Sequence, residues 1–175
     1  MLLNRTEYPS WLYPVTKGAT TIWERWDGIK PDGTFQDPSM NSFNHYAYGA
    51  IGDWMYRVVA GIRIDEQSPA YKHILIAPRP GGGLTHAAAY IDSLYGRASS
   101  DWTIANGRIS LKIQVPVNST ATVRVPGVQL SSLTEGGKAL TAVSDLRNAR
   151  QDAGDLVLDV GSGSYEFSAP YNQAN

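Results

Sequence analysis

Apolar residues recur along this chain with two different periods. From Asn41 to Ala60, the positions Phe43, Tyr46, Ala47, Ala50, Ile51, Trp54, Met55, Val58 and Val59 follow the i, i+3, i+4 spacing that predicts a helix. Gly61 follows as a natural C-terminal stop, because glycine takes the left-handed conformation that ends many helices. A shorter helical segment is expected over Thr21–Trp26, where Thr20 or Thr21 could cap the free amides of the first turn. Between the two, Asp27-Gly28, Pro31-Asp32-Gly33 and Asp37-Pro38 are turn signals, so residues 27–40 read as a long irregular loop. Long loops of this kind are often functional.

From about Tyr71 the period becomes two. His73–Ala77, His86–Leu94, Arg108–Val115, Ala121–Val125, Asp155–Val160 and Ser164–Ser168 are β-rich runs broken by turn residues, and Asn106-Gly107 is the strongest hairpin signal among them. Leu111, Ile113 and Val115 alternate with Lys112 and Gln114, and Leu156, Leu158 and Val160 are separated by Val157 and Asp159, which predicts one core face and one mostly wet face. Residues 131–153 have weak periodicity and are expected to include an irregular excursion. The fold class predicted is mixed and mainly β: a few helices, then an antiparallel β-sandwich of about a hundred residues. The boundary is placed in the polar, turn-prone Asp65-Glu66-Gln67-Ser68-Pro69, giving a helical segment at 1–65 and a sandwich at 66–175.

Composition narrows the function classes. The 175 residues carry a formal net charge of −1 and a charged fraction of 18%, so no basic field gathers nucleic acid or an anionic membrane. No apolar run approaches the ~20 residues of a membrane span. Met1-Leu2-Leu3-Asn4-Arg5 is too short and too soon interrupted to read as a signal peptide, and the compartment stays open. Without cysteine there is no disulfide, thiol nucleophile or thiolate-held zinc. His73 and His86 lack acidic neighbours at metal spacing, so neither a metal nor another cofactor is expected. There is no Gly-x-Ser-x-Gly elbow, and Pro78-Arg79-Pro80-Gly81-Gly82-Gly83 lacks the Gly-Lys-Ser/Thr ending of a phosphate loop and reads as a linker turn.

Chemistry concentrates in the first third, which holds Trp11, Trp23, Trp26 and Trp54 of the five tryptophans. Glu24 sits between two indoles. Aromatic walls desolvate a carboxylate and raise its pKa, whereas Arg25 and a helix N-terminus favour the charged form. On the residues alone, the plainer reading is a surface glutamate paired with Arg25. Indole faces also pack on the C–H faces of pyranoses while carboxylates bind their hydroxyls, so carbohydrate is the natural ligand class. His45, with Phe43, Tyr46 and Tyr48 around it, reads most plainly as a hydrogen-bonded core histidine. Asp27, Asp32, Asp37 and Asp53 could in principle supply a second catalytic carboxylate, but each is a poor candidate, and Asp27, Asp32 and Asp37 lie in turn contexts where aspartate bonds its own backbone.

Tyr8-Pro9-Ser10-Trp11, then Gly18-Ala19-Thr20-Thr21-Ile22-Trp23-Glu24-Arg25-Trp26, then Ser42-Phe43-Asn44-His45-Tyr46-Ala47-Tyr48-Gly49-Ala50-Ile51-Gly52-Asp53-Trp54 closely resemble, in order, the end of the catalytic domain of bacterial α-L-rhamnosidases of glycoside hydrolase family 78. The resemblance implies that residues 1–65 are the last helices of an (α/α)6 barrel and that the β half is the C-terminal sandwich. It further implies hydrolysis of terminal α-L-rhamnosides with inversion, which requires two carboxyl groups on opposite faces of the sugar. By similarity Glu24 aligns with the general base and His45 with a sugar-binding histidine, Trp23 and Trp26 are expected as pocket walls, and the general acid is expected on sequence upstream of this chain.

Helices taken out of a closed barrel present apolar inner faces, so self-association through the Trp-rich segment, or partial disorder of residues 1–60, is also expected. Three readings stay open at this stage. They are the rhamnosidase C-terminal part with Glu24 as base, a non-catalytic module that binds carbohydrate or another partner, and a truncated protein with weak, unrelated hydrolase activity.

Overall fold

The computed structural model describes residues 4–140 and 146–172. The chain divides into two compact units, residues 1–53 and 54–175.

The first unit is built mainly from turns around aromatic side chains. Its regular elements are a single turn, α1 (Tyr13–Thr16), a 3-10 turn at Ala47–Ala50, and the start of α2 (Ile51–Trp54). The helix expected over 41–60 therefore begins at Ala47, and the one expected over 21–26 is absent. The physical reason is shared. The Glu24 amide donates to the Ser42 carbonyl at 2.8 Å and the His45 amide donates to the Ile22 carbonyl at 2.8 Å, so residues 22–24 and 42–45 satisfy each other's backbone instead of closing helical turns. The intervening loop is irregular but ordered by a small turn. Ile29 bridges Phe35, and the Asp32 carboxylate accepts from both the amide and the hydroxyl of Thr34, at 2.9 and 2.7 Å.

The second unit opens with a π-helical segment, Met55–Ala60, ended by Gly61 in the left-handed conformation at φ 83° as the sequence predicted. Two sheets follow. One has the order β1-β2-β6-β10-β9, with β1 (Ile62–Ile64), β2 (His73–Ile76), β6 (Thr120–Val125), β10 (Asp155–Val160) and β9 (Leu146–Asp152). The other has the order β3-β4-β5-β11-β7-β8, with β3 (His86–Ser93), β4 (Gly96–Ala105), β5 (Arg108–Val115), β11 (Gly163–Pro170), β7 (Thr134–Glu135) and β8 (Lys138–Ala139). Pairing is antiparallel except between β2 and β6, which run parallel. This is the mainly β sandwich that the alternation predicted.

The core lies between the sheets. Ile74, Ile76, Val123, Val125, Leu156 and Leu158 from one sheet and Trp102, Leu111 and Phe167 from the other are essentially inaccessible. Each buried aliphatic or aromatic side chain of this size contributes roughly 1.5–3 kcal/mol. Val157, expected on the wet face, is also buried, outside that cluster. At the β4–β5 turn Asn106 and Gly107 both take positive φ, 51° and 69°, as a primed two-residue hairpin requires. The end of the π segment is anchored on β4: the Trp102 indole donates to the Val59 carbonyl and the Ser100 hydroxyl to the Ala60 carbonyl, each at 2.7 Å. Carbonyls at a helix end have no partner of their own, and these two bonds supply one inside an apolar core. The Pro78–Gly83 turn carries Arg79, whose guanidinium meets the buried Asp155 carboxylate at 2.7 Å, with Arg124 on the same oxygen at 3.3 Å.

Candidate active site

The aromatic residues of the first unit pack in small groups. Trp26 stacks on Tyr48 at 5.4 Å between ring centroids and 30° between planes, and Trp11 meets both edge-on, at 5.8 and 5.9 Å. Trp23 is 5% exposed and takes the edge of Phe43 at 5.0 Å. Offset and edge-on arrangements of this kind let the electron-poor ring edge meet the electron-rich face, worth about 0.5–1.5 kcal/mol per pair beyond the buried area. A cleft of ≈ 250 Å³ opens between α1 and these rings, lined mainly by Trp11, Pro14, Ile22, Trp23, Trp26 and Tyr48.

The four residues singled out in the sequence fall into two pairs. Trp23 and Trp26 line the cleft, whereas Glu24 and His45 are not part of its lining. Glu24 and His45, 21 positions apart, lie on the two segments joined by the backbone bonds between residues 22–24 and 42–45. The Glu24 side chain is partly exposed. Its sequence neighbour Arg25 does not pair with it: the guanidinium makes a two-pronged contact with Asp27, at 3.1 and 3.3 Å. Arg25 and Asp27 thereby neutralise one another, leaving the Glu24 charge to its surroundings.

His45 is held by its other bonds. Its Nδ1 accepts from the Ala47 amide at 3.2 Å, at the start of the 3-10 turn, and its ring stacks on Tyr46 at 5.3 Å with only 4° between planes. A ring nitrogen that accepts a hydrogen bond carries no proton, so the geometry selects the tautomer with hydrogen on Nε2.

The remaining acidic side chains of the loop are engaged in its architecture. Asp32 and Asp37 each receive an amide and a hydroxyl two residues on, from Thr34 and Ser39. The backbone N–H of Thr34 foremost, then its hydroxyl, holds Asp32 below the usual carboxylate range, and the Ser39 hydroxyl, then its amide, does the same for Asp37. A depressed pKa is the opposite of what a proton donor needs. Among the described residues no three His, Cys, Asp or Glu side chains gather where they could hold a metal ion. The sequence had flagged the Trp-Glu-Arg-Trp segment and the motif containing Tyr48, but not that Tyr48 would be the stacking partner of Trp26; the 22-residue separation gave no signal of that contact.

Comparison with known proteins identifies the segment. Residues 1–59 match the bacterial α-L-rhamnosidase six-hairpin glycosidase domain, and residues 61–139 match the bacterial α-L-rhamnosidase C-terminal domain. An α-L-rhamnosidase of Streptomyces avermitilis is 44% identical over 95% of this chain, and one of Formosa agariphila is 40% identical over 98%. The crystal structure of the Streptomyces avermitilis α-L-rhamnosidase complexed with L-rhamnose superposes with a TM-score of 0.82 at 43% identity over 96% of this chain. The chain spans only 15% and 18% of the lengths of those two relatives, and 15% of that crystallised chain. The chain belongs to the bacterial α-L-rhamnosidases and corresponds to their C-terminal part, comprising the end of the six-hairpin glycosidase domain and the C-terminal β-sandwich.

Proposed function

We propose that the chain contributes half of the hydrolytic site of an α-L-rhamnosidase, with Glu24 as the general base that activates water and His45, through Nε2–H, as a donor to a sugar hydroxyl. Trp23 and Trp26 serve as apolar walls for the rhamnose ring, and the boundary between barrel part and sandwich, expected at 65/66, falls before β1, which pairs into the five-stranded sheet. The observation that carries this reading is the pairing of residues 22–24 with 42–45, which holds the Glu24 and His45 segments side by side while Arg25 is turned to Asp27. The kinship with enzymes called α-L-rhamnosidases supports the substrate.

In an inverting mechanism a carboxylate draws a proton from water on one face of the anomeric carbon while a protonated carboxyl on the other face donates to the leaving oxygen, the two about 6.5–9.5 Å apart. Asp27, Asp32 and Asp37 are committed to Arg25 or to their own turns, and by resemblance to the family the acid is supplied by another part of the six-hairpin domain. In the polypeptide that joins this segment to the rest of that domain, Glu24→Gln lowers kcat on an aryl α-L-rhamnoside by about 10²–10⁴-fold with KM little changed. Activity within a few-fold of wild type would refute the assignment.

Val15, Ile22, Phe35, Met40 and Tyr46 are exposed in the first unit. We therefore also propose that the 175-residue chain alone self-associates through these side chains, since apolar area exposed to water is unfavourable. Light scattering across a dilution series tests it: mass rises with concentration, and a monomer at every concentration contradicts it. A non-catalytic sugar-binding role is the second reading, favoured by the cleft's aromatic lining. Sugar binding that persists in a Glu24→Gln protein of undiminished turnover distinguishes it.

A further inference from the structure

The wet face of the five-stranded sheet carries a second polar constellation. Four adjacent strands place side chains of one face in a row: His73 on β2, Thr120 and Thr122 on β6, Asp159 on β10 and Arg147 on β9, with Thr122 opposite Asp159 and Asp159 opposite Arg147 in the strand registers. Their core-facing neighbours Ile74, Ala121, Leu158 and Val160 are buried, which fixes this row on the outer face. The surface here is concave rather than flat. A cleft of ≈ 500 Å³ is lined by His73, Thr120, Arg147 and Asp159 together with the β10–β11 turn, Gly161 and Ser162, and Tyr165.

The hydrogen bonds give the cleft a fixed polarity. The Thr122 hydroxyl donates to one oxygen of Asp159 at 2.7 Å, so its lone pair receives the Nε2–H of His73 at 3.0 Å. Nδ1 of His73 meets the Thr120 hydroxyl at 2.7 Å, a group that can donate or accept. Asn148 donates to the other oxygen of Asp159 at 2.8 Å. Burial by itself would raise the Asp159 pKa, but these two donors, with Arg150 and His73 nearby, outweigh it and hold the group ionised. Each carboxylate oxygen keeps one lone pair for a further donor. Arg147 lines the same cleft and forms no ion pair among the described residues.

We propose that this cleft is a saccharide-binding site on the C-terminal sandwich, separate from the Glu24 constellation, taking a neutral pyranose with vicinal hydroxyls. The Asp159 carboxylate and the Arg147 guanidinium set an acceptor and a forked donor side by side in the lining, which suits the hydroxyls of a polyol. Adjacent hydroxyls on a ring offer a donor and an acceptor that Asp159 and Arg147 can serve together. The volume lies within the range of small-ligand sites.

The test is a titration of the ¹⁵N-labelled full chain with L-rhamnose, with methyl β-D-glucoside, and with inorganic phosphate, reading amide shifts residue by residue. Saturable shifts at His73, Thr122, Asp159 and Gly161 with at least one sugar, weakened about tenfold or more in Arg147→Ala, are expected, since a charged hydrogen-bond donor is lost. Arg147 is exposed, so this variant keeps the fold, and Asp159→Asn is the second arm. Shifts confined to residues 4–53, shifts with phosphate alone, or sugar affinity unchanged in both variants would overturn the proposal.

Discussion

Gly61→Ala should be among the most damaging single-methyl additions available in this chain. Gly61 ends the π segment at φ 83° and its carbonyl accepts from the Ala77 amide at 2.8 Å, so the backbone of residues 77 and 78 runs directly alongside. A methyl at Gly61 would lie 2.1 Å from the Pro78 nitrogen and 2.5 Å from the Ala77 carbonyl carbon and the Pro78 Cα, all of them backbone atoms that no rotamer change can move. Two penalties combine. The left-handed conformation costs an alanine about 1–2 kcal/mol, and forcing extra volume into packed structure adds roughly 1–3 kcal/mol, for a total of about 2–5 kcal/mol.

Gly154→Ala is the matched control: it has nearly the same φ, 86°, but its methyl would meet nothing within 4 Å. It should therefore lose only the conformational part, about 1–2 kcal/mol. Urea unfolding followed by the strand signal in far-UV circular dichroism, with hydrogen exchange at the buried Val123 and Leu158 amides as a local readout, compares the two at equal m-value. Equal loss in both variants would refute the argument that backbone proximity, rather than φ alone, requires glycine at position 61.

Ser100→Ala removes the donor to the Ala60 carbonyl and leaves that buried oxygen unpaired, so it should destabilise the chain by about 1–3 kcal/mol in the same unfolding experiment, although a hydroxyl-to-hydrogen change is nearly isosteric. Asp159, whose folded pKa lies below the ordinary carboxylate value of about 3.9, contributes stability that is present above that value and lost as pH falls through the folded pKa. Asp159→Asn should accordingly be less stable at neutral pH and show a shallower loss between the ordinary carboxylate range and the acid limit, measured as unfolding midpoints across a pH series.

The legibility of this fold in its sequence follows from which side chains face the core. Strand β5 was readable because Ile109, Leu111, Ile113 and Val115 all point inward and their neighbours do not. Its partner β4 was missed, since its inward positions are Ala98, Ser100 and Trp102, and a serine buried for its hydrogen bond to Ala60 looks like a solvent residue. Strand β9 reads Leu-Arg-Asn-Ala-Arg-Gln-Asp and is almost wholly exposed at a sheet edge, so no alternation marks it. Part of the stretch with weak periodicity, residues 141–145, lies outside the described residues.

In the first unit the short helix expected over 21–26 gives way to long-range backbone pairing with 42–45. The Trp-Glu-Arg-Trp segment announced an unusual environment, yet the partition of its charges was hidden. Arg25 reaches forward to Asp27 rather than back to Glu24, a choice made by loop geometry and not by composition. The Asx bonds of Asp32 and Asp37, by contrast, were legible from local turn chemistry.

Chemical rescue of the base is the most direct test of the account. In Glu24→Ala, within the polypeptide that includes the rest of the six-hairpin domain, no group remains to deprotonate water, and a small anion such as azide needs no deprotonation. Azide then attacks the anomeric carbon from the water face as the aglycone leaves with the acid's proton. Turnover of an activated aryl α-L-rhamnoside should collapse in the variant, return with added azide, and yield the β-L-rhamnosyl azide. Turnover undiminished by the substitution, or an azide product of retained α configuration, would contradict the assignment of Glu24.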